Sequence, residues 1–500
     1  MPATTPANQH NTVAFCHGTG RVNRTGAPRL SGLPGAARTA HVSLFASPGC
    51  PGHNVLAGSD PSNQRSNSVS SLPGRCDVAI VGGGPSGAVA ASQLALEGLD
   101  VVLLDKATHP RPNVGESLIP HFWKYTDLIG ATAAIEADGF IRKGGGLALW
   151  NGAMRRLRFS DFGYRRPALH VERDRFDHIL LEQTRRNGVR VFEDTAALSI
   201  DPAGPEPVIR YRHAGEELGT LRARYIVDAS GQAAVLARQL GIRKFDPDIR
   251  FTSLWGYYVG GQYLTIDGAV TPFDKRFETA PATLVTTLGD WGWVWHIVLR
   301  ESVSIGIILP PERLQAFKAR SDTMEARFQG IVEGAPIIGR LMRDATFTDK
   351  VWGIRDYAYM PTHLAVDHCY LAGDAAAFVD PINSAGVVFG MYAGFLSAWA
   401  ISNSLKKPDR RDEFRASYCK YYGDRLALFR LLALPSDSNG VERAIENAAA
   451  VVHNTSRTEQ DLMLLQATLN SRSHGITSVL RRLGLPTEIA TRTLPVPAVD

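Results

Sequence analysis

A chain of 500 residues with 44% hydrophobic and 21% charged residues can bury a large core and divide into roughly two or three domains. The formal net charge of +5 arises upstream of Asp77, where Arg21, Arg24, Arg29, Arg38, Arg65 and Arg75 face Asp60 alone, so the balanced remainder gives no compositional case for nucleic-acid binding. Five scattered cysteines, at positions 16, 50, 76, 369 and 419, show no CxxC spacing and support neither a disulfide framework nor a metal site.

Residues 1–74 are rich in Ser, Gly, Pro, Ala and Arg, nearly free of acid and without periodicity, which predicts a disordered extension. The same composition fits an organelle transit peptide or translated sequence upstream of a true start. No secretory apolar region is visible, so the expected location is cytoplasmic, with organelle targeting by residues 1–74 as the alternative.

The first ordered segment is CDVAIVGGGPSGAVAASQLALEGLDVVLLDK. An apolar strand, Val78 to Val81, runs into a turn holding Gly82, Gly83, Gly84, Ser86 and Gly87; an Ala-rich helix and a second strand ending in Asp105 follow. The glycines permit a tight turn and close approach of a pyrophosphate to a helix N-terminus, and the terminal acid suits ribose hydroxyls. Next comes GFIRKGGGLALWNG, where Lys143 is followed by small and apolar residues and so stands outside any solvated charge run. A partly buried lysine loses some preference for its charged form; a lysine snorkelling at a strand start is the structural alternative. The run ARYIVDASG, with Asp228 and Gly231, is an apolar strand breaking into small residues. In GDWGWVWHIVL, Trp291, Trp293 and Trp295 alternate, which in a strand puts three indoles on one face, either as a wall or as ordinary core filling.

YLAGDAAAFVDP, with Gly373 and Asp374, is another strand-to-turn segment, and it feeds an uncharged run at 385–405 in which Gly386, Gly390 and Gly394 repeat as in a membrane dimer helix. Because a cofactor segment leads directly into it, the run is predicted to be a buried helix, with no transmembrane segment. Residues 406–500 read as a helical C-terminal region with amphipathic stretches at 413–432 and 459–475. The expected organisation is α/β. A dinucleotide-binding domain over 75–405 is interleaved with a mainly antiparallel β-sheet substrate region at about 140–165 and 250–350.

The three strand-to-turn segments resemble flavoproteins with a glutathione-reductase-like FAD-binding fold. HPRPNVGESLIP, Lys143 after Gly139-Phe140, Arg173-x-x-Phe176-Asp177, Trp293-x-Trp295-x-Ile297 and Asp380-Pro-x-x-Ser384-x-Gly386 together resemble the flavin-dependent halogenases of the phenol and pyrrole branch, with Val298 where that family has proline. The resemblance implies FAD, used as FADH2 from a separate flavin reductase, and a chloride or bromide ion. It implies flavin contacts from Glu116, Ser117, Arg173, Asp374 and Val387, although Glu116 suits a salt bridge equally well. It also implies a flavin C4a-hydroperoxide attacked by halide held at Ser384, Ala385 and Gly386. Hypohalous acid would then pass to Lys143 beside an aromatic substrate, free or carried on a protein, with the tryptophan row excluding that substrate from the flavin. Asn383 stands where the tryptophan-acting branch has an acid, which argues against free tryptophan; Ala148 lacks the aromatic expected of the phenolic pattern. Competing readings are an aromatic hydroxylase, which needs its substrate at the flavin, a lipid-acting flavoprotein reductase, which needs an open apolar groove, and a flavoprotein that only binds.

Overall fold

A computed structural model describes residues 72–150, 152–215, 217–289, 292–318, 323–433 and 493–499. The expected disordered extension up to residue 71, Trp291 and the amphipathic stretch at 459–475 lie outside the described residues.

Strands that are apolar at every position belong inside a parallel sheet covered on both faces. Accordingly β1 (Arg75–Val81) pairs in parallel with β2 (Val101–Leu104), and α1 (Pro85–Leu96) forms the crossover between them. Glu217–Asp228 and then Cys369–Leu371 extend the parallel array beyond β1, and Arg190–Phe192 extends it beyond β2. The carboxyl ends of these strands thus gather the glycine turn, Asp105, Asp228 and the Gly373-Asp374 turn along one edge of the sheet, which is where ligands bind in open α/β sheets.

The uncharged run forms α2 (Gly386–Lys406) and lies against α1. A Cβ at Gly394 would stand 2.2 Å from the Ser86 carbonyl oxygen, and one at Gly390 would stand 3.6 Å from Ser86 Cβ. The glycine spacing therefore serves a close helix crossing within this chain. Among the described residues no helix is long and apolar enough to cross a membrane.

The second sheet is antiparallel apart from one parallel pair. Its order is Thr346–Arg355, Thr252–Val259, then three strands in reverse chain order, then Gly145–Trp150, Ala153–Arg158 and Thr493–Leu494. A short ladder beside it joins β3 (Ile141–Lys143) to β4 (Ala168–His170), and the three central strands are β5 (Ala282–Leu288), β6 (Gly292–Val298) and β7 (Val303–Leu309). Alternation along β6 divides the core: Trp293, Trp295 and Ile297 join the cluster of Phe159, Ile382 and Val388, while Val294 joins that of Phe328, Ile331 and Leu341. The region after 405 is helical over Arg411–Ala433, and Thr493–Leu494 then returns as an edge strand on Met154 and Arg155. Two residues are too few to show a strand period, so this pairing had no sequence signal.

Replacing Gly394 by valine should destabilise the protein by about 1–3 kcal/mol or more, since the new side chain would have to push α2 off the Ser86 backbone. Thermal unfolding checks this, and an unchanged midpoint would show that the helix crossing tolerates expansion.

Candidate active site

The glycine turn is closed by its own backbone. A Cβ at Gly82, whose φ is +106°, would lie 2.3 Å from the Ala229 oxygen, and one at Gly87 would lie 1.9 Å from the Gly82 oxygen. Asp105 is buried and braces the turn, accepting from the Gly83 N–H at 2.6 Å and the Ala107 N–H at 2.9 Å, with an Arg111 guanidinium nitrogen 3.7 Å away. Gly84 is the N-cap of α1 and gives it no side-chain cap, and the buried Ser86 hydroxyl in its first turn has no hydrogen-bond partner among the described residues. Uncapped N–H groups, an orphaned hydroxyl and a turn without side chains fit a pyrophosphate. Asp228 is already committed, accepting from the Ser230 and Leu236 N–H groups of its own turn. The Asp374 carbonyl accepts from the Tyr359 hydroxyl, but its carboxylate accepts no hydrogen bond among the described residues, and burial raises its pKa to about 6 against the opposing charge of Arg173. Its carboxylate is therefore available to the hydroxyls of a ligand at this edge of the sheet. Arg173 instead clamps Asp177 at 2.8 and 3.0 Å and donates to the Val114 carbonyl at 2.6 Å. Its guanidinium thus fixes the strap at 114–118.

That strap meets the start of α2. Ser384 is left-handed, with φ 54°, and its hydroxyl donates to Ser117 Oγ at 2.9 Å, which offsets part of the strain of that conformation. Asp380 accepts from the Ile382 N–H at 3.0 Å and from the Tyr357 hydroxyl at 3.1 Å, fixing the turn that precedes it. Ala385 is the buried N-cap and supplies no side-chain cap, so the first N–H groups of a 21-residue helix face its positive dipole end without an intrahelical acceptor. A Cβ added at Gly386 would meet no protein atom within 4 Å, and half-buried Val387 lies beside Gly115.

Lys143, at the end of β3, is 1% exposed and has no acidic partner among the described residues. This placement replaces the snorkelling alternative. Its Nζ donates to Ser117 Oγ at 2.7 Å and to the Leu118 carbonyl at 3.1 Å, and lies 5.3 Å from the centre of the Phe159 ring. Burial lowers its pKa to about 7. Ser117 also meets Thr283 Oγ1 at 2.8 Å; Thr283 meets His170 Nε2 at 2.8 Å, and His170 Nδ1 meets the Val298 carbonyl at 3.0 Å. With its hydroxyl engaged by Lys143, Ser384 and Thr283, Ser117 retains only its main chain for a cofactor contact. Glu116 accepts from Tyr257 at 2.6 Å rather than from a cation, and burial raises its pKa to about 7. Tyr257, Phe159, Thr283 and His170 were not legible as site residues, because each sits in an ordinary strand or turn and acquires its role by tertiary contact.

Of the tryptophan row, Trp293 is 1% and Trp295 7% exposed, on the same face, with ring centres 5.8 Å apart. Trp295 lies across Gly306 of β7, where a Cβ would fall 1.9 Å from its ring, and its Nε1 donates to Ser304 at 3.2 Å. The Trp293 Nε1 is buried without a partner among the described residues. The pair shares one buried cluster with Phe159, Ile382 and Ala385, as core filling on one face of the strand predicts.

The sequence family described as FAD binding domain matches residues 75–254. Together with the glycine cradle, this match marks an FAD-binding fold of the α/β class. A tryptophan 2-halogenase of Chondromyces crocatus is 33% identical over 345 residues, covering 67% of this chain and 62% of the relative, less than two thirds of that protein. A flavin-dependent halogenase of Armillaria mellea, armH4, is 31% identical over 364 residues, 67% of each chain. The myxobacterial chondrochloren halogenase CndH superposes with a TM-score of 0.67 at 28% identity, covering 80% of this chain and 98% of that one. The chain belongs to the flavin-dependent halogenase family.

The amine's burial has a measurable cost. A lysine whose pKa falls from 10.5 to about 7 on folding destabilises the native state by on the order of 4–5 kcal/mol at pH 7 and below. The unfolded chain holds the extra proton between these pKa values, so stability rises with pH across that window. Lys143→Met should therefore raise the unfolding midpoint, by more at pH 6 than at pH 9. A stabilisation independent of pH would mean that Lys143 keeps an ordinary pKa.

Proposed function

We propose that the protein uses reduced FAD, dioxygen and a chloride or bromide ion to halogenate an electron-rich aromatic compound of the phenol or pyrrole type. The observation that carries this reading is Lys143: a buried amine with no counter-ion among the described residues, held by two acceptors beside an aromatic ring, is suited to neutral-amine chemistry. FAD, bound and reduced, supplies the activation of dioxygen that turns halide into hypohalous acid. Gly82, Gly83, Gly84, Ser86 and Gly87 would hold its pyrophosphate, Asp105 and Asp374 its hydroxyls, and Glu116, the Ser117 main chain, Arg173 through the strap, and Val387 would surround its ring. Main-chain N–H groups at Ser384, Ala385 and Gly386 would hold the halide at a positive helix end.

Lys143 receives hypohalous acid through its lone pair and holds the halogen toward the substrate. The ring carbon then forms its bond to halogen as the oxygen–halogen bond breaks, and the ring proton leaves with water as the other product. Trp293 and Trp295, with Trp291, would keep the aromatic substrate away from the flavin and so disfavour hydroxylation. A separate flavin reductase supplies FADH2, and the substrate arrives free or on a carrier protein. A second reading, an indole substrate, is favoured by the Chondromyces relative, which is named a tryptophan 2-halogenase, and opposed by Asn383.

An aerobic assay with a reductase, FAD, bromide and a panel of phenols, pyrroles and indoles, read by isotope pattern, tests the proposal; oxygenated products would point to a hydroxylase. Lys143→Ala should bind FAD and oxidise FADH2 at near the normal rate while product falls by at least about 100-fold, and Lys143→Arg should not rescue because guanidinium stays protonated. In the wild type, product per flavin oxidised should rise between pH 6 and 8 as the amine, with its pKa near 7, loses its proton. Full halogenation by Lys143→Ala would make the lysine a bystander.

Gly386→Val should leave folding and FAD retention intact, because a Cβ there meets no protein atom, yet abolish the dependence of product on halide. Wild-type halide dependence in this variant would place the anion elsewhere.

A further inference from the structure

Hydrogen bonds run in one fixed direction through the cluster behind Lys143. The Val298 carbonyl can only accept, so His170 Nδ1, 3.0 Å away, carries the ring proton. His170 is fully buried, and burial, with the charge of Lys143, pushes its pKa well below the ordinary histidine value, so the ring is neutral and Nε2 accepts. Thr283 therefore donates its single hydroxyl proton to Nε2 at 2.8 Å and must accept from Ser117 at 2.8 Å. The Ser117 proton is thereby turned toward Thr283, and its oxygen accepts from Lys143 at 2.7 Å and from Ser384 at 2.9 Å. A neutral amine has two N–H bonds and one lone pair. Here both N–H groups are taken up, by Ser117 Oγ and by the Leu118 carbonyl at 3.1 Å, and among the described residues no group donates to the amine nitrogen. A Ser117 hydroxyl free to rotate would donate to that lone pair and occupy it.

We propose that Thr283 and His170 are positioning residues that hold the Ser117 proton away from Lys143 and so keep the amine lone pair open, a role that rests on reading Lys143 as the amine that holds the halogen. The arrangement links three separate places in the chain, the strap, β4 and β5, to the start of α2 through Ser384. Few other titratable groups stand near it. His296 lies beyond His170, with its own pKa lowered to about 4 by burial; Glu116 adjoins Ser117, and exposed Arg142 adjoins Lys143.

The test compares Thr283→Val, which removes the hydroxyl at nearly constant volume, with Thr283→Ser, which restores it, in full-length protein as isolated with FAD. Two readouts are taken: halogenated product per FADH2 oxidised at pH 9, where the amine is neutral in every variant, and the titration of Lys143 followed by 15Nζ and 13Cε NMR of lysine-labelled protein. The Lys143 signal is assigned by its loss in Lys143→Met. Thr283→Val should lower product yield by about tenfold with little change in FADH2 oxidation. It should also move the Lys143 titration downward by about half a pH unit or more, since a donating Ser117 favours the neutral amine. Thr283→Ser should return both to wild type. Should Thr283→Val fail to fold, His170→Phe removes the terminal acceptor and should show the same two changes. Wild-type yield and titration in Thr283→Val, or a Thr283→Ser that fails as badly as valine, would overturn the proposal. If Lys143→Ala loses halogenation while Thr283→Val keeps it, only the positioning role falls; if Lys143→Ala halogenates normally, the reading of Lys143 falls first.

Discussion

Burying one amine without a counter-ion is the constraint on which the site depends. Water stabilises an ammonium strongly, and a protein interior that offers no carboxylate must either supply several oriented acceptors or let the proton go. Around Lys143 the fold supplies two, the Ser117 hydroxyl and the Leu118 carbonyl, with the face of Phe159 nearby. That is too little to hold a full charge comfortably and enough to orient a neutral amine. The chemistry proposed for Lys143 is thus a consequence of a stability cost that the rest of the fold must offset.

The strap at 114–118 carries that constraint to the cofactor edge. Arg173 grips its start through the Val114 carbonyl, Tyr257 engages Glu116, and Ser117 and Leu118 receive the amine. The strap also touches the beginning of α2 at Ser384 and Val387, where the helix presents unpaired N–H groups. Displacement of this short segment would therefore be felt at both ends, by the groups suited to a flavin and halide and by the amine suited to a substrate.

The two sheets divide the labour for a physical reason. The parallel sheet, buried on both faces, gathers polar residues at its carboxyl edge, where strand ends and helix starts leave main-chain groups free. The antiparallel sheet has one face packed on Phe328, Ile331 and Leu341 and turns the other, with Trp293 and Trp295, toward α2. Gly306 allows Trp295 to lie flat on that second face, so the aromatic surface there is dense and stiff.

The cofactor half was legible in the sequence because its physics is local. A glycine turn between two apolar strands and a small-residue strand end are each written within a dozen residues, and their spacing follows from backbone sterics and helix dipoles. The same locality made α2 and the face shared by Trp293 and Trp295 readable, as helical length and strand alternation are properties of consecutive residues. The environment of Lys143 was not legible. Sequence marked the residue by its apolar neighbours, but its complete burial and lack of an acid depend on Ser117, Phe159, Thr283, His170 and Ser384, which lie far apart in the chain and meet only when β3, β4 and β5 close on the strap. Side-chain pKa values and hydroxyl orientations are set by such non-local neighbours. The kind of cofactor chemistry is therefore encoded in short segments, whereas the state of the amine is decided by the tertiary structure.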